Sequence, residues 1–337
     1  MLRIISGLDS FTNSWQLFGK ISPEKLVSLK KVATIESIGS STRIEGVKLS
    51  DRQIEELLSN LEAKSFLSRD EQEVAGYYEA CNLVFTSYQN MNFSENLIKQ
   101  LHKILLKFSD KDTRHSGEYK KLSNRIEAFD SDGNSIGVVF ETSSPFETPF
   151  QMAQLVNWFN ANILQNEIHP LLLIGIFIVL FLAIHPFQDG NGRLSRVLTA
   201  LLLLQSGYTY IPYSSLESVI EQNKDAYYLA LRKTQNTLRH ETNYEPWLLF
   251  FLQSLQRQKI HFETKLNTAK LSEMSKLSNL SRRILEIIYE HNELSISEIT
   301  LYTNTNKNTV KKHLAQLVAN SYIVKYGKGK ATTYKLK

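Results

Sequence analysis

The sequence predicts a mainly α-helical protein with one small β-hairpin and a C-terminal winged helix-turn-helix. Three observations carry this reading. Apolar runs at 171–184 and 197–204 flank a twelve-residue polar stretch, His185 to Arg196, the pattern of two buried helices joined by a functional turn. Between 114 and 150 the helical pattern breaks. There Ser131-Asp132-Gly133-Asn134 separates two strand-like runs, 124–129 and 136–142, and Asp-Gly in that setting signals a hairpin. The tail reads helix (281–291), a short step at 295–297, helix (298–302), helix (307–320) and two strands around Gly327 and Gly329, the order of a winged helix.

The remaining elements follow from start and stop signals. Ser22-Pro23-Glu24 supplies an N-cap, a proline at the first helical position and a first-turn acid, with Gly46 as the stop. Capping boxes at Ser50-Asp51-Arg52-Gln53 and Ser68-Arg69-Asp70-Glu71 open two more helices, and a third follows Ser94. His102 lies on the apolar face of that third helix, as a buried, hydrogen-bonded histidine. Thr148-Pro149 caps a helix ending near Leu164, and the central helix begins at about Pro170. Ser214 or Ser215 starts one helix that runs on through Tyr227 and Tyr228. Pro246 opens a long helix whose polar second half leads to a boundary at 271–280. The expected domains are an N-terminal helical region (1–95), a core with its supporting helices (96–270) and a winged helix (275–337).

Composition narrows the class. The chain has 337 residues, 42% of them apolar, enough for a sizeable core. The apolar run at 171–184 is too short to span a bilayer, and the N-terminus lacks the apolar core of a signal peptide, so a cytoplasmic protein without membrane contact is expected. Cys81 is the only cysteine, which excludes an intramolecular disulfide and a thiolate metal cluster. The net charge of +5 is uneven: residues 270–337 hold 12 Lys and Arg against 5 Asp and Glu. Lys307, Asn308, Lys311, Lys312 and His313 on the third tail helix, with Lys328 and Lys330 beyond it, suit phosphate and base edges. DNA binding and a protein-interaction or dimer module with a solvated basic face both remain open; the absence of arginine from that helix weakens guanine readout.

The polar turn has its own chemistry. Gly190 and Gly192 let backbone N–H groups approach an anion at the start of the next helix, a phosphate cradle. Arg193 and Arg196, three apart, can fork onto phosphate oxygens. Asp189 alone cannot make a closed metal site, but it suits Mg²⁺, which completes its shell with water and substrate phosphates. His185 titrates near neutrality and can take a proton from an attacking hydroxyl. Asp130 to Asn134 lacks the glycine of a calcium loop at the sixth position, which rules that reading out.

From His185 to Arg196 the chain resembles the Fic family signature, His-x-Phe-x-Asp/Glu-Gly-Asn-Gly-Arg-x-x-Arg, at every defined position. The resemblance implies a helical Fic fold and transfer of AMP from ATP to a hydroxyl of a target protein. It implies His185 as general base and Asp189 as the Mg²⁺ ligand. Asn191 with the backbone of Gly190 and Gly192 would take the α- and β-phosphates, Arg193 the β-phosphate and Arg196 the γ-phosphate, with Phe187 among the nucleotide-binding positions. Ser41 to Gly46 resembles the family's inhibitory motif, Ser/Thr-x-x-x-Glu-Gly/Asn, and implies that Glu45 pairs with Arg196 in place of the γ-phosphate. Gly117-Glu118-Tyr119 resembles the Gly-x-Tyr-Arg ahead of the family's flap, with Lys120 where arginine is usual. The flap, about 124–142, would clamp a target segment carrying Ser, Thr or Tyr by main-chain pairing. Tyr227, Tyr228 and Gln235 stand where the family contacts the nucleoside, although a tyrosine there can equally fill a helix interface.

The expected function is therefore an autoinhibited protein adenylyltransferase using ATP and Mg²⁺, with a homodimer as the expected assembly. Two alternatives stand beside it. One is a deAMPylase or bifunctional enzyme that uses Glu45; the other is a DNA-binding regulator whose Fic site senses nucleotide. Gly192 argues against the kinase-like relatives, which carry lysine there.

Overall fold

The computed structural model describes residues 1–337 apart from 16–22, 62–65, 67, 130–134, 239–240, 292, 321, 328, 330–331 and 337. For 125–129, 135–141, 268–276 and 289–290 it describes the backbone only. The hairpin turn expected at 131–134, Ser22, Lys328 and Lys330 thus lie outside the described residues. The chain divides into two units, one of Met1–Asn13 with Val27–His261, the other of Ser14–Leu26 with Phe262–Lys337. No division falls at the expected boundary of 95.

The first unit is built on α7 (Pro170–Ile184), fifteen residues without one charge, which is buried along most of its length. A helix that is apolar all round has to be wrapped. It packs against α6 (Thr148–Gln165), α8 (Asn191–Gln205) and α10 (Lys224–Gln235). Around these lie α2 (Pro23–Ile44), α3 (Asp51–Ser59), α4 (Arg69–Ser87) and α5 (Glu95–Leu105), and α8 also packs on α4 and α5. Ser50 makes both halves of its capping box, Ser68 caps Glu71 N–H, and Ser94 caps Leu97 N–H. Gly46 follows α2 at φ 102°, the left-handed conformation expected of the stop residue.

Four expectations are corrected. α1 (Leu2–Trp15) is helical, although nothing in the sequence reading placed a helix there; it buries Ile5, Leu8 and Phe11. The N-cap of α6 is Glu147 rather than Thr148, whose hydroxyl instead donates to Ser144 O (2.7 Å). The helix expected from Ser215 through Tyr228 is two: Ser215 caps α9 (Leu216–Gln222), and α10 begins after Asn223. The long helix α11 (Glu245–Lys276) continues through the start of the expected boundary, and the division of the chain between His261 and Phe262 falls within its span. The flap is present as β1 (Arg125–Phe129) and β2 (Ser135–Glu141), antiparallel, with Arg125 opposite Glu141 and two register shifts.

In the second unit α12 (Asn279–His291), β3 (Glu293–Ser295), α13 (Ile296–Thr303), α14 (Lys307–Ala319), β4 (Ile323–Tyr326) and β5 (Thr333–Leu336) follow one another. The three strands form an antiparallel sheet in the order β3-β5-β4. Ile284, Ile288, Ile299, Val310, Leu314, Leu317 and Ile323 make its core. Among the described residues no helix is long and apolar enough to cross a membrane.

Candidate active site

α7 ends at His185, whose backbone is left-handed (φ 54°). That conformation is uncommon for a non-glycine residue and turns the chain sharply out of the helix. The His185 Nδ1 lies 3.3 Å from Leu182 O. A carbonyl only accepts, so Nδ1 carries the proton and Nε2 keeps its lone pair. Burial pushes the His185 pKa down to about 4, against the Leu182 hydrogen bond and the Glu45 and Asp189 charges, with Lys120 adding to the fall.

The loop after His185 is held from inside. Asn191 is buried; its Oδ1 accepts from Phe187 N (2.9 Å) and its Nδ2 donates to Phe187 O (2.8 Å). Its amide therefore closes the loop on itself, a positioning part beyond the phosphate role expected of it. Phe187 is fully buried and stacks on His102 at 3.8 Å between centroids, which anchors the loop. His102 accepts from Gly117 N–H at Nδ1 (2.9 Å) and donates from Nε2 to Asp189 O (3.0 Å), and burial lowers its pKa to about 4. It is the structural histidine its apolar setting suggested.

Gly190 caps α8 at φ 77°, and no side chain caps that helix. Its first turn thus presents N–H groups and the positive end of the helix dipole toward the loop. Arg193 and Arg196, one turn in, are both almost fully buried. Arg193 pairs with Glu73 (2.9 Å) and lies 3.6 Å from Asp189. Arg196 donates to Ser41 Oγ (2.7 Å), Ser41 O (3.0 Å) and Glu45 Oε1 (2.7 Å). Arg193 Nε and Arg196 Nη1 are buried with no hydrogen-bond partner among the described residues, and such donors suit an incoming anion.

Glu45 bears directly on the loop. A Cβ at residue 192 would collide with Glu45 Oε1, so only glycine admits the carboxylate this close to the start of α8. Burial works to raise the Glu45 pKa, but the Arg196 charge and hydrogen bond, with Arg193 and His185 behind them, hold it below the ordinary carboxylate value. Asp189 keeps 38% of its side chain exposed, with Arg69 Nη2 3.3 Å away. No cluster of three or more potential metal ligands occurs among the described residues. A lone, accessible carboxylate fits a cation that brings its other ligands as phosphate and water.

Residues 92–203 match the family model for the Fic/DOC family. The chain carries a Fic domain. Its relatives include the protein adenylyltransferase Fic of Drosophila grimshawi, 26% identical over 223 residues, which are 66% of this chain and 41% of that protein. A probable protein adenylyltransferase of Aquifex aeolicus is 35% identical over 98 residues, 28% of this chain and 29% of the relative. The chain thus spans under half the length of these relatives. A Fic domain containing signaling protein from Bacteroides thetaiotaomicron shares the fold at TM-score 0.62 and 24% identity, covering 79% of this chain and 97% of that one. A Fic family protein from Desulfovibrio desulfuricans gives TM-score 0.58 at 19% identity, covering 99% of this chain and 96% of that one.

Ser41, Glu45, Tyr227, Tyr228 and Gln235 lie outside the stretch matched as the Fic domain, yet two of them reach its loop through Arg196. Tyr227 is buried edge-on to Tyr228 and Trp247 with Phe250 tilted against it, and burial raises its pKa to about 12. Tyr227 thus packs in a helix interface and also lies against the Arg196 guanidinium. Tyr228 is 36% exposed and keeps a ring available for stacking. Gln235 is buried with Nε2 unpartnered among the described residues. Sequence reasoning missed Glu73, an ordinary helix acid until Arg193 is placed on it, and an open cavity of about 790 Å³ bounded by Thr142, Gln154, Trp158, Leu180 and Ile184 beside the flap.

Proposed function

We propose that the Fic domain transfers AMP from ATP to a hydroxyl of a target protein and that α2 holds it in check. The observation that carries this is the Glu45 carboxylate, bonded to Arg196 and lying over Gly192 at the uncapped start of α8. A group so placed competes with a phosphate for the same donors. With Glu45 withdrawn, Arg196 and Arg193 offer guanidinium donors to the γ- and β-phosphates, and the first turn of α8 offers backbone N–H groups to the α- and β-phosphates. His185 Nε2 takes the proton of the acceptor hydroxyl as that oxygen attacks the α-phosphorus; the bond to the bridging oxygen breaks and pyrophosphate leaves, its charge held by the two arginines. Asp189 is the residue to hold Mg²⁺, which when bound neutralises phosphate charge. In this reading Tyr228 and Gln235 meet the nucleoside, and β1 and β2 pair with the target segment.

The test is incubation of the protein with labelled ATP and cell lysate, wild type beside Glu45→Gly. Labelling of the chain or of a target should rise at least tenfold in the variant; no rise removes the inhibitory role. The same carboxylate, within electrostatic reach of His185, also has the chemistry to orient a water for the reverse hydrolysis. A deAMPylation assay on labelled product separates the two directions.

A second reading concerns the other unit, which we propose to be a winged helix; its element order and its strand order β3-β5-β4 support that reading. From Ile299 to Lys337 the sequence has eight lysines and no Asp or Glu. On α14 Lys307, Asn308, Lys311 and Lys312 are all exposed. A stretch so free of anions favours a polyanion partner, and duplex DNA is the reading proposed. Its affinity should fall steeply with salt, and replacing both Lys311 and Lys312 by Ala should lower the salt slope by about 2. Equal retention on DNA by wild type and variant, or no retention by either, defeats it.

A further inference from the structure

We infer that Lys120 is a positioning residue for catalysis, the pin that ties both feet of the flap to the backbone around His185; this rests on the adenylyltransferase reading above. Lys120 is 3% exposed. Its Nζ donates to Asn124 Oδ1 (2.8 Å), Thr142 Oγ1 (2.9 Å) and Ile184 O (3.0 Å). An ammonium has three N–H groups, and these three acceptors use all of them. Asn124 directly precedes β1 and Thr142 directly follows β2, so one side chain grips the flap at both ends. Ile184 is the last residue of α7, and the Lys120 backbone N–H donates to Pro186 O (2.8 Å). His185 is therefore bracketed by two carbonyls, each tied to Lys120.

The network closes through its other members. Asn124 Nδ2 donates to Phe187 O (2.9 Å), and the Thr142 hydroxyl is within reach of Asn124 O (2.7 Å) and Asn124 Oδ1 (2.6 Å). All three acceptors of Lys120 are neutral. A buried cation without a carboxylate costs stability, and burial alone lowers this lysine to about 8. A purely structural tie between a hairpin and a loop is made at less cost by a neutral side chain. What the ammonium adds is three fixed directions at one point and a positive charge beside His185, whose other charged neighbours are Glu45 and Asp189. Lys120 thereby sets the acceptor segment on the flap and the base that deprotonates it in one frame, where small displacements cost rate.

The test compares variants in the Glu45→Gly protein, with self-labelling or target labelling as the activity. Lys120→Met should lower kcat at least tenfold while KM for ATP changes less than threefold, because the phosphate donors lie elsewhere. The acid limb of its pH profile should move up slightly, since burial, the main cause of the low His185 value, stays and only the smaller Lys120 contribution is lost. Lys120→Arg, which restores a multidentate cation, should recover most of the rate. Thr142→Val, nearly isosteric, should lower kcat severalfold without moving the acid limb, and serves if Lys120→Met does not fold. Unchanged kcat in both Lys120→Met and Thr142→Val overturns the inference, as does a rise in KM that accounts for the whole loss or a failure of arginine to rescue. Absence of AMP transfer by the Glu45→Gly parent would instead overturn the function on which the inference rests.

Discussion

His185 shows how much one backbone conformation decides. Left-handed φ ends α7 at that residue, and the bond to Leu182 O assigns the proton to Nδ1, leaving Nε2 its lone pair for the base role proposed. With a pKa near 4 it is neutral at physiological pH, so the rate should hold on acidification and fall only as pH drops toward 4. His185→Ala in the Glu45→Gly protein should lower AMP transfer about 10² to 10⁴-fold, the usual worth of a general base, while ATP binding by calorimetry changes less than about threefold. Unchanged labelling would reject the assigned base. The residues of this loop were legible in the sequence because they work at fixed short offsets, one turn or one bend apart. Lys120 was legible only as a departure from a motif, because its acceptors stand 4, 22 and 64 residues away and are uncharged. Glu73 was invisible for a related reason, since its pairing with Arg193 joins two helices 120 residues apart.

Helices with amphipathic faces and capping residues were readable one by one; their breaks and their partners were not. α9 and α10 looked continuous because the residue between them, Asn223, interrupts through contacts rather than through a proline or glycine. Its Nδ2 donates to Val219 O (2.7 Å) and its Oδ1 accepts from Arg257 (2.6 Å), which holds a non-helical backbone between the two. The helix proposed to inhibit, α2, has a similar hidden support. Arg43, two residues before Glu45, donates from Nε to Glu221 Oε1 (2.7 Å) and from Nη2 to Glu221 Oε2 (3.1 Å), and from Nη1 to Asp51 (2.8 Å). The fork on Glu221 fastens the end of α2 to α9, and both side chains are about three-quarters buried. Such a pair is worth about 1 kcal/mol, enough to shift a two-state latch severalfold. Glu221→Gln should therefore raise basal labelling about threefold to tenfold, less than Glu45→Gly, because the Arg196 contact survives. Labelling equal to wild type would mean that the Arg43–Glu221 pair does not help to hold α2 in place.

At the scale of the molecule, buried neutral histidines govern acid stability. His102 and His185 both have pKa values lowered to about 4, against an ordinary 6.5. The unfolded chain takes up protons on these two residues as pH falls below 6.5, while the folded chain resists until about 4, so stability drops across that window. His102, fully buried, contributes about 1.4 kcal/mol per pH unit, and His185, at a partly open edge, contributes less. Glu45, Asp189 and Glu221 act in a lower range: their carboxyls are held below the ordinary values of 4.5 for glutamate and 3.8 for aspartate, and what they contribute is lost as pH falls below those values. The unfolding midpoint should therefore fall steadily from pH 6.5 to 4.5, before any of the carboxylates titrates. His102→Gln keeps a donor and an acceptor for Asp189 O and Gly117 N–H but cannot titrate. It should unfold at a lower temperature than wild type near pH 7 and show less than half the pH slope, since the remaining share belongs to the more open His185. A slope as steep as that of wild type would place the acid sensitivity elsewhere than in the histidine that props the signature loop.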